Sequence, residues 1–153
     1  MKVRDVMTRE VVAADPDTTV NLVARLMADK AISGVPVVED DRVVGIVTEL
    51  DLIVRNTRLE PPAFFQLLDA RIPLETPGHY RERLRHMLGT LARDVMTEKV
   101  VTIGPDEDLE ALAELMVKQR VNPVPVVEDG RLVGIVARSD IIAMMARDID
   151  ATG

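Results

Sequence analysis

The residues with the clearest capacity for chemistry are a hydroxyl and a carboxylate three positions apart. They are Thr48 and Asp51 in Gly45-Ile46-Val47-Thr48-Glu49-Leu50-Asp51. The apolar run before them reads as a strand and the residues from Leu50 as a helix, so the pair stands at a strand-to-helix turn. Backbone N–H groups at a helix start attract anions, and the macrodipole adds to the attraction. Here the Thr48 hydroxyl can donate to a phosphate oxygen, and the Asp51 carboxylate can accept from both hydroxyls of a ribose. A charge-assisted pair of this kind contributes roughly 1.5–3 kcal/mol, which is about a 10- to 100-fold change in affinity. The same two residues also fit a capping box that requires no ligand.

A second version of this motif bears on the choice. Gly134-Ile135-Val136-Ala137-Arg138-Ser139-Asp140 keeps the acid and loses the hydroxyl, which argues against capping alone, although Ser139 offers a substitute cap. The two motifs belong to a longer duplication. Arg4-Asp5-Val6-Met7-Thr8 returns as Arg93-Asp94-Val95-Met96-Thr97, and Val35-Pro36-Val37-Val38-Glu39-Asp40 as Val124-Pro125-Val126-Val127-Glu128-Asp129. Asp5 and Asp94 are separated by the same 89 positions as Asp51 and Asp140. A tandem repeat without gaps predicts pseudo-two-fold symmetry and two equivalent, diverged sites.

Each copy must position its acid with the same elements. A short extended stretch, Val11–Ala14 or Val100–Ile103, runs into a turn, with Asp17 and Asp106 as candidate N-caps. Val20, Val23, Ala24 and Met27, and in register Leu109, Leu112, Ala113 and Met116, have the spacing of one buried helical stripe. Two β-branched runs follow, Val35–Glu39 and Val43–Val47, then Val124–Glu128 and Leu132–Val136. Asp129-Gly130 is a good hairpin signal between the second pair. A closing helix is expected from Leu50 to Arg55 and from Ser139 to Arg147. The order strand, helix, strand, strand, helix is a mixed α/β fold.

These motifs resemble the CBS domain, and two in tandem resemble a Bateman module. The resemblance rests on Asp-Val-Met-Thr, Val-Pro-Val-Val-Glu and Gly-Ile-Val-Thr-x-x-Asp, and covers about two-thirds of the chain. It implies two β-α-β-β-α repeats packed about a pseudo-dyad, with clefts for adenosine-containing ligands. In such a module Asp51 and Asp140 would hold a ribose and Thr48 would meet phosphate. The adenine slots would be lined by Val12, Ala13, Ala14, Gly34, Val35 and Pro36, and by Val101, Thr102, Ile103, Pro123, Val124 and Pro125. Arg138, beside Asp140, is expected to favour a charged nucleotide there. Glu49, beside Asp51, is expected to leave that site to a ligand of little negative charge, or to none. AMP, ADP or ATP is the expected ligand, with S-adenosylmethionine and NAD as further members of the class.

The resulting organisation is a first repeat at 1–56, an insert at 57–91 and a second repeat at 92–150. The insert has no counterpart in the repeat and holds Phe64, Phe65 and Tyr80, all the aromatic residues of the chain. Short helices are expected at Phe64–Ala70 and Tyr80–Leu91. His79 and His86, near Glu75 and Glu82, lack a recognised metal-ligand spacing. Arg81, Arg83, Arg85 and Arg93 read as a solvated face. Across 153 residues the net charge is −7 and there is no cysteine. A general nucleic-acid or anionic-membrane surface is therefore not expected, nor thiolate catalysis or a disulfide. No apolar run reaches a membrane span, and a cytoplasmic protein is the expectation. Nothing converges on a base–nucleophile pair. The sequence thus predicts a non-catalytic, ligand-sensing homodimer acting on a protein partner; a scaffold without ligand is the alternative.

Overall fold

The computed structural model describes residues 1–57, 64–67, 70–73 and 90–152. Within each repeat the expected main helix, hairpin and closing helix form, preceded by a short helix not expected from the sequence. Helix α1 (Val3–Val6) precedes α2 (Val20–Lys30), the hairpin β1 (Gly34–Glu39) and β2 (Arg42–Thr48), and α3 (Glu49–Thr57). After the insert, α4 (Ala92–Val95), α5 (Leu109–Gln119), the hairpin β5 (Val124–Glu128) and β6 (Arg131–Val136), and α6 (Arg138–Thr152) repeat the series. The expected first strands are reduced to single parallel bridges, Ala14 to Val37 and Ile103 to Val126.

Local chemistry explains the boundaries. Helix α2 begins two residues later than expected, because the Thr19 hydroxyl, not Asp17, accepts from the Leu22 N–H. Asp108 holds the corresponding place before α5 without a side-chain cap bond. Both hairpins turn through two residues of positive φ, Asp40-Asp41 and Asp129-Gly130, the geometry that matches strand twist. Only the second turn has the glycine that relieves this conformation.

The insert departs from expectation. Phe64–Leu67 and Ala70–Pro73 are antiparallel strands β3 and β4, with Phe64 opposite Pro73, not a helix. Aromatic and β-branched residues favour a pleated ribbon, and a helix of seven residues nucleates poorly. The helix expected at Tyr80–Leu91 lies outside the described residues except at its end. There Leu91 is extended, and the Thr90 carbonyl accepts from the Val20 N–H. His79, His86, Arg81, Arg83 and Arg85 also lie outside the described residues.

The two repeats trade their entry segments. Val3 is wholly buried in the core of the second repeat with Leu112, Val124 and Val136. Ala92 is wholly buried in the core of the first with Val23, Val35 and Val47. Backbone bonds fix both docks: Val3 N–H to the Glu107 carbonyl at 2.9 Å, and Ala92 N–H to the Thr18 carbonyl at 2.7 Å. Ion pairs line the seams, Arg4 with Asp106 and Arg93 with Asp17. Lys2 hydrogen-bonds Asp108, which holds that exposed carboxyl below its ordinary range and lifts the Lys2 ammonium.

Glycine makes the exchange fit. A methyl group at Gly134 would come within 2.5 Å of Met7 Sδ, and one at Gly45 would overlap Met96 Sδ in the same way. Each methionine arrives from the other repeat. Gly45→Ala should therefore destabilise the protein by about 1–3 kcal/mol. Most of that loss should vanish in a Met96→Ala background, measured by urea denaturation of the double-mutant cycle. An equal loss in both backgrounds would mean that the contact is not the cause.

Candidate functional site

Two open cavities flank the pseudo-dyad. The larger, about 850 Å³, holds Thr48 and Asp51. The smaller, about 250 Å³, holds Ala137 and Asp140. Only the first falls in the range of roughly 300–1,000 Å³ usual for small-molecule sites. Each cavity is built from both repeats. Asp51 faces Thr97, Lys99, Val100 and Val101, the stretch that follows α4, together with Asn122 and Pro123. Asp140 faces Thr8, Glu10, Val11 and Val12, the stretch that follows α1, together with Ser33 and Gly34.

The two acids do cap their own helices. Asp51 Oδ2 accepts from the Thr48 N–H at 2.9 Å and from the Thr48 hydroxyl at 3.1 Å, and the Asp51 N–H donates to Thr48 Oγ1. This is a complete capping box. Asp51 Oδ1 accepts from the Thr97 hydroxyl at 3.2 Å. Asp140 Oδ2 accepts from the Ala137 N–H at 2.7 Å, so half the box survives without a hydroxyl at 137. Capping thus accounts for the retention of Asp140 beside Ala137, against the expectation from the missing hydroxyl. An ionised carboxylate has about four acceptor sites, so capping leaves each acid able to accept further bonds from the cavity side.

The charges fall differently from the sequence expectation. Arg138 lines the Asp51 cavity, where Lys99 and Arg120 join it, and does not line the Asp140 cavity. Residues two apart on a helix point about 200° from one another, so Arg138 and Asp140 serve opposite sides of α6. Glu49 borders both cavities. The larger cavity therefore carries Lys99, Arg120 and Arg138 against Glu49 and Asp51. The smaller carries Glu10, Glu49 and Asp140, with no cation among the described residues of its lining. Among the described residues no ion pair engages the three cations of the larger cavity.

Each expected adenine-slot triplet reaches a cavity with one residue. Val12 and Gly34 line the smaller cavity, Val101 the larger, and Pro123 both. Val35, Pro36, Val124 and Pro125 are fully buried as their strands enter the core. Ala14 belongs to the core of the first repeat, and Ile103 packs against the core of the second. Ala13 and Thr102 are exposed away from either lining. Ser33 and Asn122, which directly precede the Gly34 and Pro123 segments, meet across the dyad, Asn122 Nδ2 donating to Ser33 Oγ at 3.3 Å. Asn122 Oδ1 also accepts from the Arg138 N–H at 2.9 Å. Lys99, Arg120, Met116 and Ile141 were not identified as site residues from the sequence. Only the fold brings them to Asp51. Among the described residues no group of three or more His, Asp or Glu side chains is arranged to hold a metal.

A mixed α/β pair of tandem repeats, with a cleft for each repeat's acid, defines the class. Residues 3–55 and 92–147 match the CBS domain, and the chain belongs to that family. An uncharacterized protein of Methanocaldococcus jannaschii, MJ1426, is 35% identical over 153 residues, covering 93% of this chain and 89% of its own. The CBS domain pair of protein MJ0100, solved with 5′-methylthioadenosine and S-adenosyl-L-methionine, superposes with a TM-score of 0.72. It is 22% identical over 97% of this chain and 98% of that one. CBSX2 in complex with AMP gives a TM-score of 0.71 at 24% identity, over 95% of this chain and 96% of that one. At these identities the two structures speak for the fold.

Capping by Asp140 has a measurable consequence. Asp140→Ala should cost about 1 kcal/mol and lower Tm by about 2–4 °C in calorimetry without ligand. An unchanged Tm would mean that the Ala137 amide does not depend on this carboxylate.

Proposed function

We propose that the chain is a non-catalytic regulatory pair that binds AMP, ADP or ATP in the Asp51 cavity. One observation carries this reading. A cavity of nucleotide size brings a carboxylate, a helix start with the Thr48 hydroxyl, and the cations Lys99, Arg120 and Arg138 around apolar walls. Asp51 is assigned to the ribose hydroxyls and Thr48 with Arg138 to phosphate. Val101 and Pro123 are assigned to the base. The adenosine compounds held by the MJ0100 pair and CBSX2 support a nucleoside as the recognised unit. The three cations favour a phosphate-bearing ligand over the sulfonium of S-adenosylmethionine, while NAD would need more of the open cleft. The Asp140 cavity, smaller and acidic, is assigned no nucleotide.

Regulation requires that the ligand bind one arrangement of the repeats, or of two subunits, better than another. Exposed apolar residues on α3 and α6, among them Leu50, Ile53, Ile142, Met145 and Ile149, supply a surface for a homodimer or for the regulated protein. The alternative, a scaffold without ligand, takes its support from the two capping acids.

Calorimetry with adenosine, AMP, ADP, ATP, S-adenosylmethionine and NAD separates these readings. ATP or AMP should bind at one site per chain. Asp51→Ala should weaken it about 10- to 100-fold, and Asp140→Ala should change it less than about threefold, under the factor of ten that 1.4 kcal/mol represents. No heat and no thermal shift with any of them would leave the scaffold. Sedimentation should show a dimer that Ile142→Glu converts to a monomer; a wild-type monomer at micromolar concentration would remove the homodimer.

A further inference from the structure

Glu49 occupies the first position of α3, and its partner under the repeat is Arg138, the first position of α6. The two helix starts converge at the pseudo-dyad. Glu49 N–H donates to the Ser33 carbonyl at 3.1 Å, Arg138 N–H to Asn122 Oδ1, and Asn122 to the Ser33 hydroxyl. Equivalent positions of opposite charge thus border the same larger cavity. Glu49 is also the one charged residue, among those described, that lines both cavities. It is exposed, and no ion pair among the described residues neutralises it.

We infer that Glu49 is the specificity-determining residue for ligand charge in both cavities at once. The inference rests on the proposed nucleotide reading of the Asp51 cavity. In that cavity Glu49 subtracts from the attraction that Lys99, Arg120 and Arg138 exert on an anion, and so restrains the advantage of each added phosphate. In the other it joins Glu10 and Asp140 and closes the space to phosphate. One side chain therefore makes the pair asymmetric, with a moderated anion site on one side and an anion-excluding site on the other. A unit charge a few ångströms from a phosphate at surface-like screening changes affinity several-fold, and the effect fades as salt shortens the Debye length.

The test uses the full chain and three probes, adenosine, ATP and inorganic tripolyphosphate, titrated at low and high salt. Glu49→Gln should tighten ATP and tripolyphosphate about five- to tenfold at low salt, and less at high salt. Adenosine should change less than about twofold, because it carries no charge for Glu49 to oppose. Glu49→Arg, which gives the first repeat the charge of the second, should tighten ATP and tripolyphosphate beyond Glu49→Gln at low salt. Circular dichroism reports that each variant is folded. Unchanged ATP-to-adenosine and tripolyphosphate affinities in Glu49→Gln would overturn the role of Glu49. Failure of adenosine and ATP to bind any form would instead overturn the nucleotide reading, while the tripolyphosphate series would still decide the role of Glu49.

Discussion

Val3 and Ala92 are small apolar residues with no exposed surface, and each is buried in the repeat to which it does not belong. This reciprocal exchange is the constraint on which the remaining architecture depends. A repeat of this size closes too little core alone. The borrowed segment completes it, Val3 with Val6 and Met7 on one side, Ala92 with Val95 and Met96 on the other. The seam is tight because Gly45 and Gly134 present bare backbone to the arriving methionines. At the dyad Gly34 does the same for Pro123, whose Cδ lies 2.6 Å from where a side chain would begin.

The same exchange makes the clefts. After α1 and α4 dock, the chain must cross back to its own repeat, and on the way it passes the helix start of the other. Thr97 bridges to Ile46 and hydrogen-bonds Asp51; Thr8 bridges to Ile135 at the mouth of the Asp140 cavity. Core closure and ligand space are therefore set by one path of the backbone. A cavity wall that belongs to one repeat and a capped acid that belongs to the other will feel any change in how the two halves sit. This is the physical requirement for a sensor, in which the ligand must distinguish two arrangements.

Much of this was legible from residues, and the rest failed for identifiable reasons. Periodicity around Val20, Val23 and Met27 located α2, and the β-branched runs located both hairpins. The acids at 51 and 140 each line a cavity. Sequence adjacency misled at Arg138, since a two-residue step along a helix reverses direction. Lys99 and Arg120 were invisible because their nearness to Asp51 exists only through the fold. Segments such as Val3–Val6 are too short for a periodic signal, and a repeat read from sequence does not say with which copy a segment packs. Phe64–Leu67 shows the opposite failure, in which a helical spacing was read into residues whose preference is for strand.

The crossing of α1 and α4 has a consequence for how such a chain can be assembled. Two separate copies of a single repeat could trade the same segments, each completing the other, because the docking groove and the docked segment recur in both halves. Joining them in one polypeptide replaces an encounter that depends on dilution with one governed by the reach of the tether. It also frees the two copies to differ. Once fused, position 49 can be acidic while position 138 is basic, an imbalance that a pair of identical subunits could not hold.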